Sequence, residues 1–204
     1  MIQWQRLDRD SSISVIENVK SASDPGMMSL ASCQVERAWL PFYEGVYAYK
    51  VTNFASLPSF TFEYLGDGQF FQYLDGTNDP IYSVNDKATL HLNEVHVLDY
   101  LEFYFSHVSD PEDGEITMIR SPHDMPLLDS LAPSAFEAVM RSFEPPRTER
   151  NQDGSFTVHA DLYIDGVVVH ATLRVGAKGR VKMLERKMRM SSMQKSTETG
   201  NFMV

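Results

Sequence analysis

The stretch FTVHADLYIDGVVVHATLRV, residues 156–175, decides the class of the fold. Phe156, Val158, Ala160, Leu162 and Ile164 alternate with Thr157, His159, Asp161 and Tyr163, the period of a strand buried on one face. Asp165-Gly166 is a two-residue hairpin turn, because glycine and aspartate tolerate the positive φ that such turns need. Val167, Val169, Ala171, Leu173 and Val175 then resume the buried face. A two-residue turn fixes the register: Ile164 opposite Val167, Leu162 opposite Val169, Ala160 opposite Ala171. The chain therefore contains an antiparallel sheet with one apolar and one polar face.

Downstream, Gly176 to Gly179 leads into a third strand over Arg180–Met188. Its register is open, since Val181 with Met183 and Leu184 with Met188 favour opposite faces. Upstream, Val46–Val51 and Ser59–Leu65 read as strands, with Tyr47, Tyr49 and Val51 on one face and Phe60, Phe62 and Tyr64 on another. Gly66-Asp67-Gly68 turns the chain into Phe70–Leu74, and Ile81–Val84 reads as a short strand after Asn78-Asp79-Pro80. The clearest helix covers Glu94–Val108, capped by Asn93, with Val95, Leu98, Leu101, Phe105 and Val108 on one stripe. A strand over Glu115–Arg120 follows. A second helix spans Pro133–Phe143, with Phe136, Val139, Met140 and Phe143 inward, and Pro145-Pro146 ends it.

These elements predict an α+β fold: a curved, mainly antiparallel sheet with one long and one or two short helices packed on it. The order of strands, long helix, strand, short helix and three-strand meander loosely resembles cystatin-like and NTF2-like folds. The predicted division is a polar N-terminal arm over 1–30, carrying a short helix at Ser12–Lys20, a single domain over 31–190, and a flexible tail over 191–204.

Composition narrows the function classes. A hydrophobic fraction of 43% over 204 residues supports a core without covalent staples. The single cysteine, Cys33, excludes an intramolecular disulfide and a multi-cysteine zinc site, and reads as a small packing residue. The charged start of the chain has no signal-peptide pattern and no run is long enough to span a membrane, so a cytoplasmic, membrane-free protein is expected. The net charge of -10 is uneven: residues 174–204 hold eight bases against Glu185 and Glu198. The acidic remainder repels nucleic acid, which is not expected as a partner. The basic segment is expected to pair with acidic surface of its own chain or of a neighbouring subunit.

Few residues suggest chemistry. The hairpin register sets Asp161 opposite His170 on the polar face, with His159 diagonal to it; such a trio binds a metal or shuttles a proton if another element covers it, and is otherwise a solvated ion pair. His96 and His107 lie three turns apart on the main helix, too far for one ion, and read as polar-face residues. His123-Asp124 sits in a loop between prolines. Asp75, Asp79 and Asp86 form a cation candidate without EF-hand spacing. No phosphate loop, dinucleotide fingerprint, nucleophile elbow or HExxH pair occurs, and no cofactor is expected. The surplus of aromatics in the first strands points to a cavity or an interface.

The expectation is a non-enzymatic binding or assembly protein with a protein partner or a second copy of itself. Arg180, Lys182 and Arg186 are the candidate partner-binding residues. The alternatives are a small-molecule enzyme with a pocket between sheet and helix, and a nucleic-acid-associated protein using the basic C-terminal strand.

Overall fold

The computed structural model describes residues 2–20, 28–29, 31–109, 113–126, 128 and 133–191; the predicted tail from residue 192 onward lies outside them. The chain runs β1 (Trp4–Arg6), α1 (Arg9–Lys20), β2 (Cys33–Trp39), β3 (Tyr43–Glu44), β4 (Tyr47–Asn53), β5 (Phe60–Gly66) and β6 (Phe71–Tyr73). It continues through α2 (Asp79–Asn85), β7 (Thr89–Leu90), α3 (His96–His107), β8 (Ile116–Ile119), α4 (Pro133–Ser142), β9 (Arg147–Arg150), β10 (Phe156–Ile164), β11 (Val167–Val175) and β12 (Val181–Ser191). The class is α+β with antiparallel strand pairing.

The strands form two main sheets rather than one curved sheet. The first has the order β1-β2-β4-β5-β6; the second is β12-β11-β10-β8, with β9 pairing the other half of β10. The reason lies in α3, where Val97, Tyr100, Leu101, Phe103, Tyr104 and Phe105 are all buried. An apolar surface that wide cannot be satisfied by one sheet face. The helix shares one continuous core with Ala48 and Leu65 of the first sheet and with Val158, Leu162 and Leu173 of the second. Asn93 starts the helix as expected, its Oδ1 accepting from the backbone N–H of Val95 (2.9 Å) and His96 (2.8 Å). Val95 departs from the predicted stripe and is 63% exposed, because it precedes the first full turn.

The hairpin β10–β11 has the register read from its sequence, from Phe156 opposite Val175 to Ile164 opposite Val167. Asp165 and Gly166 take φ of 43° and 83°, the left-handed pair of the expected turn. The ambiguity of β12 is resolved by two bulges. Val169 pairs with Met188 while Val168 pairs with Met190, and Leu173 pairs with Met183 while Thr172 pairs with Glu185. Arg189 and Leu184 are thus the extra residues, and each bulge turns the strand so that neither predicted face runs through its length.

Two elements differ from expectation. The Ile81–Val84 segment is helical, as α2. Pro80 stands in its first turn, where a missing N–H costs nothing, so Asn78-Asp79-Pro80 starts a helix instead of ending a turn. The segment before residue 31 carries the expected helix, as α1, but also supplies a strand, β1, which was not expected. Val15, Ile16 and Val19 of α1 are buried against Val35, Tyr49, Val51, Tyr64 and Phe71 on the outer face of the first sheet. Tyr49, Tyr64 and Phe71 of the aromatic surplus are thus covered on the α1 side, while Phe60 and Tyr73 stay exposed. On the far side, α4 packs Val139 against Ile119, Met125 and Leu128 as a small separate cluster, while Met140 turns outward at 39% exposure.

Candidate functional site

An open groove of about 820 Å³ lies around the free edge of β1. It exists because β1 is an edge strand of only three residues and α3 runs beside it. Strand alternation sets its two sides. Trp4 pairs with Ala38 and faces the α3 side, where Phe103, Asp99 and Glu102 line the groove. Gln5 pairs with Arg37 and faces the opposite side, toward Trp39 and Tyr47. The groove thus wraps around the edge of the sheet and is lined from both faces. Trp4 and Trp39 are the two tryptophans of the chain, and both line it. Trp39 is 64% exposed.

The groove walls are held by charges. Arg120 bridges Asp99 (2.6 Å) and Glu102 (3.0 Å), so one guanidinium serves two carboxylates. Arg37 lies 4.5 Å from the Tyr47 ring centroid, and Lys50 Nζ lies 4.3 Å from that of Trp4. Lys50 also binds Glu63 Oε1 at 3.1 Å, while Glu63 Oε2 meets His107 Nε2 at 2.7 Å. His107 Nδ1 lies 2.7 Å from the Phe103 carbonyl, which only accepts, so that nitrogen carries a proton. Burial alone would push the Glu63 carboxyl up; the hydrogen bonds and charges of His107 and Lys50 outweigh it and hold the group below its usual range. His107 is therefore not the polar-face residue expected, because sheet and helix close over it and leave its side chain 9% exposed.

The trio on the polar face of β10–β11 is partly covered by α4. Asp161 is buried, with His170 Nδ1 at 2.8 Å from Oδ1 and Arg189 Nη1 at 3.2 Å from Oδ2. Arg189 also donates to the Ser142 carbonyl at 2.9 Å, so it ties the end of α4 to the sheet. The rings of His159 and His170 are stacked 6.3 Å apart, and His159 Nδ1 turns to Thr172 at 3.2 Å. Imidazoles that stack do not converge on one ion. Among the described residues no group of three or more His, Cys, Asp or Glu has an arrangement that holds a metal. The adjoining cavity, about 50 Å³ between Ile119, Val139, Phe143 and Val168, has room for little more than water.

The other candidates are apart. Asp75 accepts from Thr77, and Asp86 pairs with Lys178 and Arg180, both at 3.5 Å. Asp124 caps the turn that Ser121 opens. The basic segment is largely engaged within the chain: Arg174 with Asp153 (2.5 Å), Arg186 with Asp113 (2.5 Å), and Arg189 with Asp161 and Glu144. Lys182 pairs with Arg174 in register and Arg186 with Ala171, which places them on opposite faces. Arg180, Lys182 and Arg186 therefore do not share one surface.

Sequence reading did not assign Trp4, Asp99 or Glu102 to any site, and placed Arg189 with the basic strand rather than beside Asp161. Ile2 and Trp4 alternating with Gln3 and Gln5 were the one local signal that the chain opens with a strand. No helix among the described residues is long and apolar enough to cross a membrane. No protein-family model, curated protein or solved structure matches this chain.

Proposed function

We propose that this is a non-enzymatic binding protein whose ligand is an extended polypeptide segment, held in the groove around β1. The observation that carries the reading is a groove lined from both faces of a sheet beside a free strand edge. An added strand needs that shape, since its successive side chains point to opposite faces while its backbone pairs with the edge. Aromatic side chains on both sides supply contact area at low entropic cost. The internal pairing of the basic strand speaks against a continuous nucleic-acid surface. The small size of the cavity beside Asp161 speaks against a substrate pocket there.

The test uses the position of the two tryptophans. A panel of tryptophan-free heptapeptides of extended, β-branched composition is titrated against the protein while tryptophan emission is read. At least one peptide is expected to give a saturable shift. Ser106→Arg, which puts a long side chain into the groove, is expected to abolish it. No shift with any peptide, or a shift indifferent to Ser106→Arg, overturns the reading.

A further inference from the structure

The edge of β1 has defined hydrogen-bonding needs. Leu7 N–H donates to the Val35 carbonyl at 3.0 Å, in step with the register that pairs Arg6 with Glu36. In an antiparallel ladder every second pair exchanges both hydrogen bonds, so Gln5 bonds Arg37 and the main-chain groups of Trp4 and Arg6 point away from β2. No described backbone group pairs with them. The far edge of the molecule is different. β12 is eleven residues long but is broken by two bulges and carries Lys182, Arg186 and Lys187, devices that discourage edge pairing.

Resting on the reading of the groove as a strand-accepting site, we propose that its occupant is β1 of a second copy of this chain, added antiparallel about a two-fold axis. The axis passes between Gln5 and Gln5 of the second copy. Trp4 then stands opposite Arg6 of the second copy, and Arg6 opposite Trp4 of the second copy, which is the self-complementary pattern of an isologous interface. The outward N–H and C=O groups of both residues are satisfied by this pairing. A register shifted by two would set tryptophan against tryptophan and leave Arg6 facing Ile2.

Charge complementarity favours the same register. Arg6 makes no ion pair among the described residues, whereas Asp99 and Glu102 share the single Arg120. Arg6 and Trp4 lie on the α3 side of the strand, since they pair with Glu36 and Ala38, which are in line with Lys50 and Ala48. An Arg6 placed opposite Trp4 of the second copy arrives beside the carboxylates that line the same wall. The two-fold axis repeats the arrangement, so both surplus negative charges and both unpaired guanidiniums are matched.

Sedimentation velocity on the full chain, over a wide concentration range, tests this. The wild type is expected to form a dimer. Arg6→Glu, which leaves the backbone alone, is expected to weaken it by about tenfold or more, and Arg6→Pro to abolish it by removing an outward donor that β2 does not use. Lys187→Glu, far from β1, is the control and is expected to dimerise normally. Near-ultraviolet circular dichroism of each dilute variant establishes that it is folded; if Arg6→Pro is not, Arg6→Glu decides alone. A dimer indifferent to the Arg6 variants overturns the proposal. A monomer at every concentration also overturns it, and the heptapeptide titration then separates the two readings. If peptides still shift the emission, the groove accepts strands from other proteins; if they do not, both readings fall.

Discussion

The Tyr100 hydroxyl donates a 2.6 Å hydrogen bond to the carbonyl of Gly179, 79 residues further along the chain. Asn85 closes the circuit: its amide donates to the Tyr100 hydroxyl (2.9 Å) and to the Lys178 carbonyl (3.2 Å), while its oxygen accepts from Tyr43. Burial pushes the Tyr43 and Tyr100 phenols up, which keeps both as neutral donors. α2, α3 and the β11–β12 turn thus meet at one fully satisfied polar knot inside an apolar core.

Gly179→Ala should break that knot. Gly179 has a φ of 72°, and an added Cβ would lie 2.6 Å from Asn85 Nδ2 and 2.7 Å from the Tyr100 hydroxyl. Overpacking and left-handed strain together should cost about 2–4 kcal/mol, read as a lower urea midpoint. An unchanged midpoint would show that the turn moves away freely.

Leu101→Ala should cost about 2–5 kcal/mol, because Leu101 is fully buried between the sheets. Val139→Ala, in the small cluster under α4, should cost less, on the order of 1–2 kcal/mol, since that cluster offers fewer rigid neighbours. The same denaturation series compares them, and a larger loss at Val139 would reverse the assignment of the main core.

Arg189→Met should loosen α4. It leaves Asp161 buried with the His170 imidazole as its remaining side-chain partner and removes the donor to the Ser142 carbonyl. Breaking a buried pair costs about 3–5 kcal/mol, and the partial exposure of Arg189 brings this to roughly 2–3 kcal/mol. Hydrogen exchange localises the effect: amides of residues 133–142 should exchange faster, with those of β10–β11 unchanged. Uniform acceleration would mean that the whole fold, not α4, depends on Arg189.

Acid should weaken the link from α3 to the first sheet through Glu63. Its carboxyl is held below the ordinary value of 4.5 in the folded chain. Its contribution is therefore present above that value and lost as pH falls through the lower, folded one. Wild type and Glu63→Gln should differ most in stability near neutrality and converge as pH falls below the ordinary carboxylate value. A gap that stays constant with pH would show that the ionised carboxylate does not contribute.

Legibility in the sequence followed the range of the interactions. The hairpin of residues 156–175 was readable because turn chemistry and alternation are both local and agree. α2 was not, because Ile81 and Val84 suit a strand, and Pro80 as a helix opener is distinguished from Pro80 as a stop only by what buries Ile81. The bulge at Arg189 was invisible, since a skipped residue depends on the partner strand. The cluster around Asp161 was half readable: the hairpin register placed His159 and His170, while α4 and Arg189 had to come from elsewhere. The groove was not readable, as its walls come from residues 2–5, 37–42 and 99–106.

The position of α3 between the two sheets has a consequence for synthesis. The first sheet is complete by Tyr73 and α3 by His107, but the second sheet is made only from residues 116–191. At about 5–20 residues per second, a ribosome needs on the order of ten seconds to deliver it. Throughout that interval Leu101 and its neighbours have one side of their packing missing. A nascent chain stalled there would carry an apolar helix face that only the second half of translation can cover.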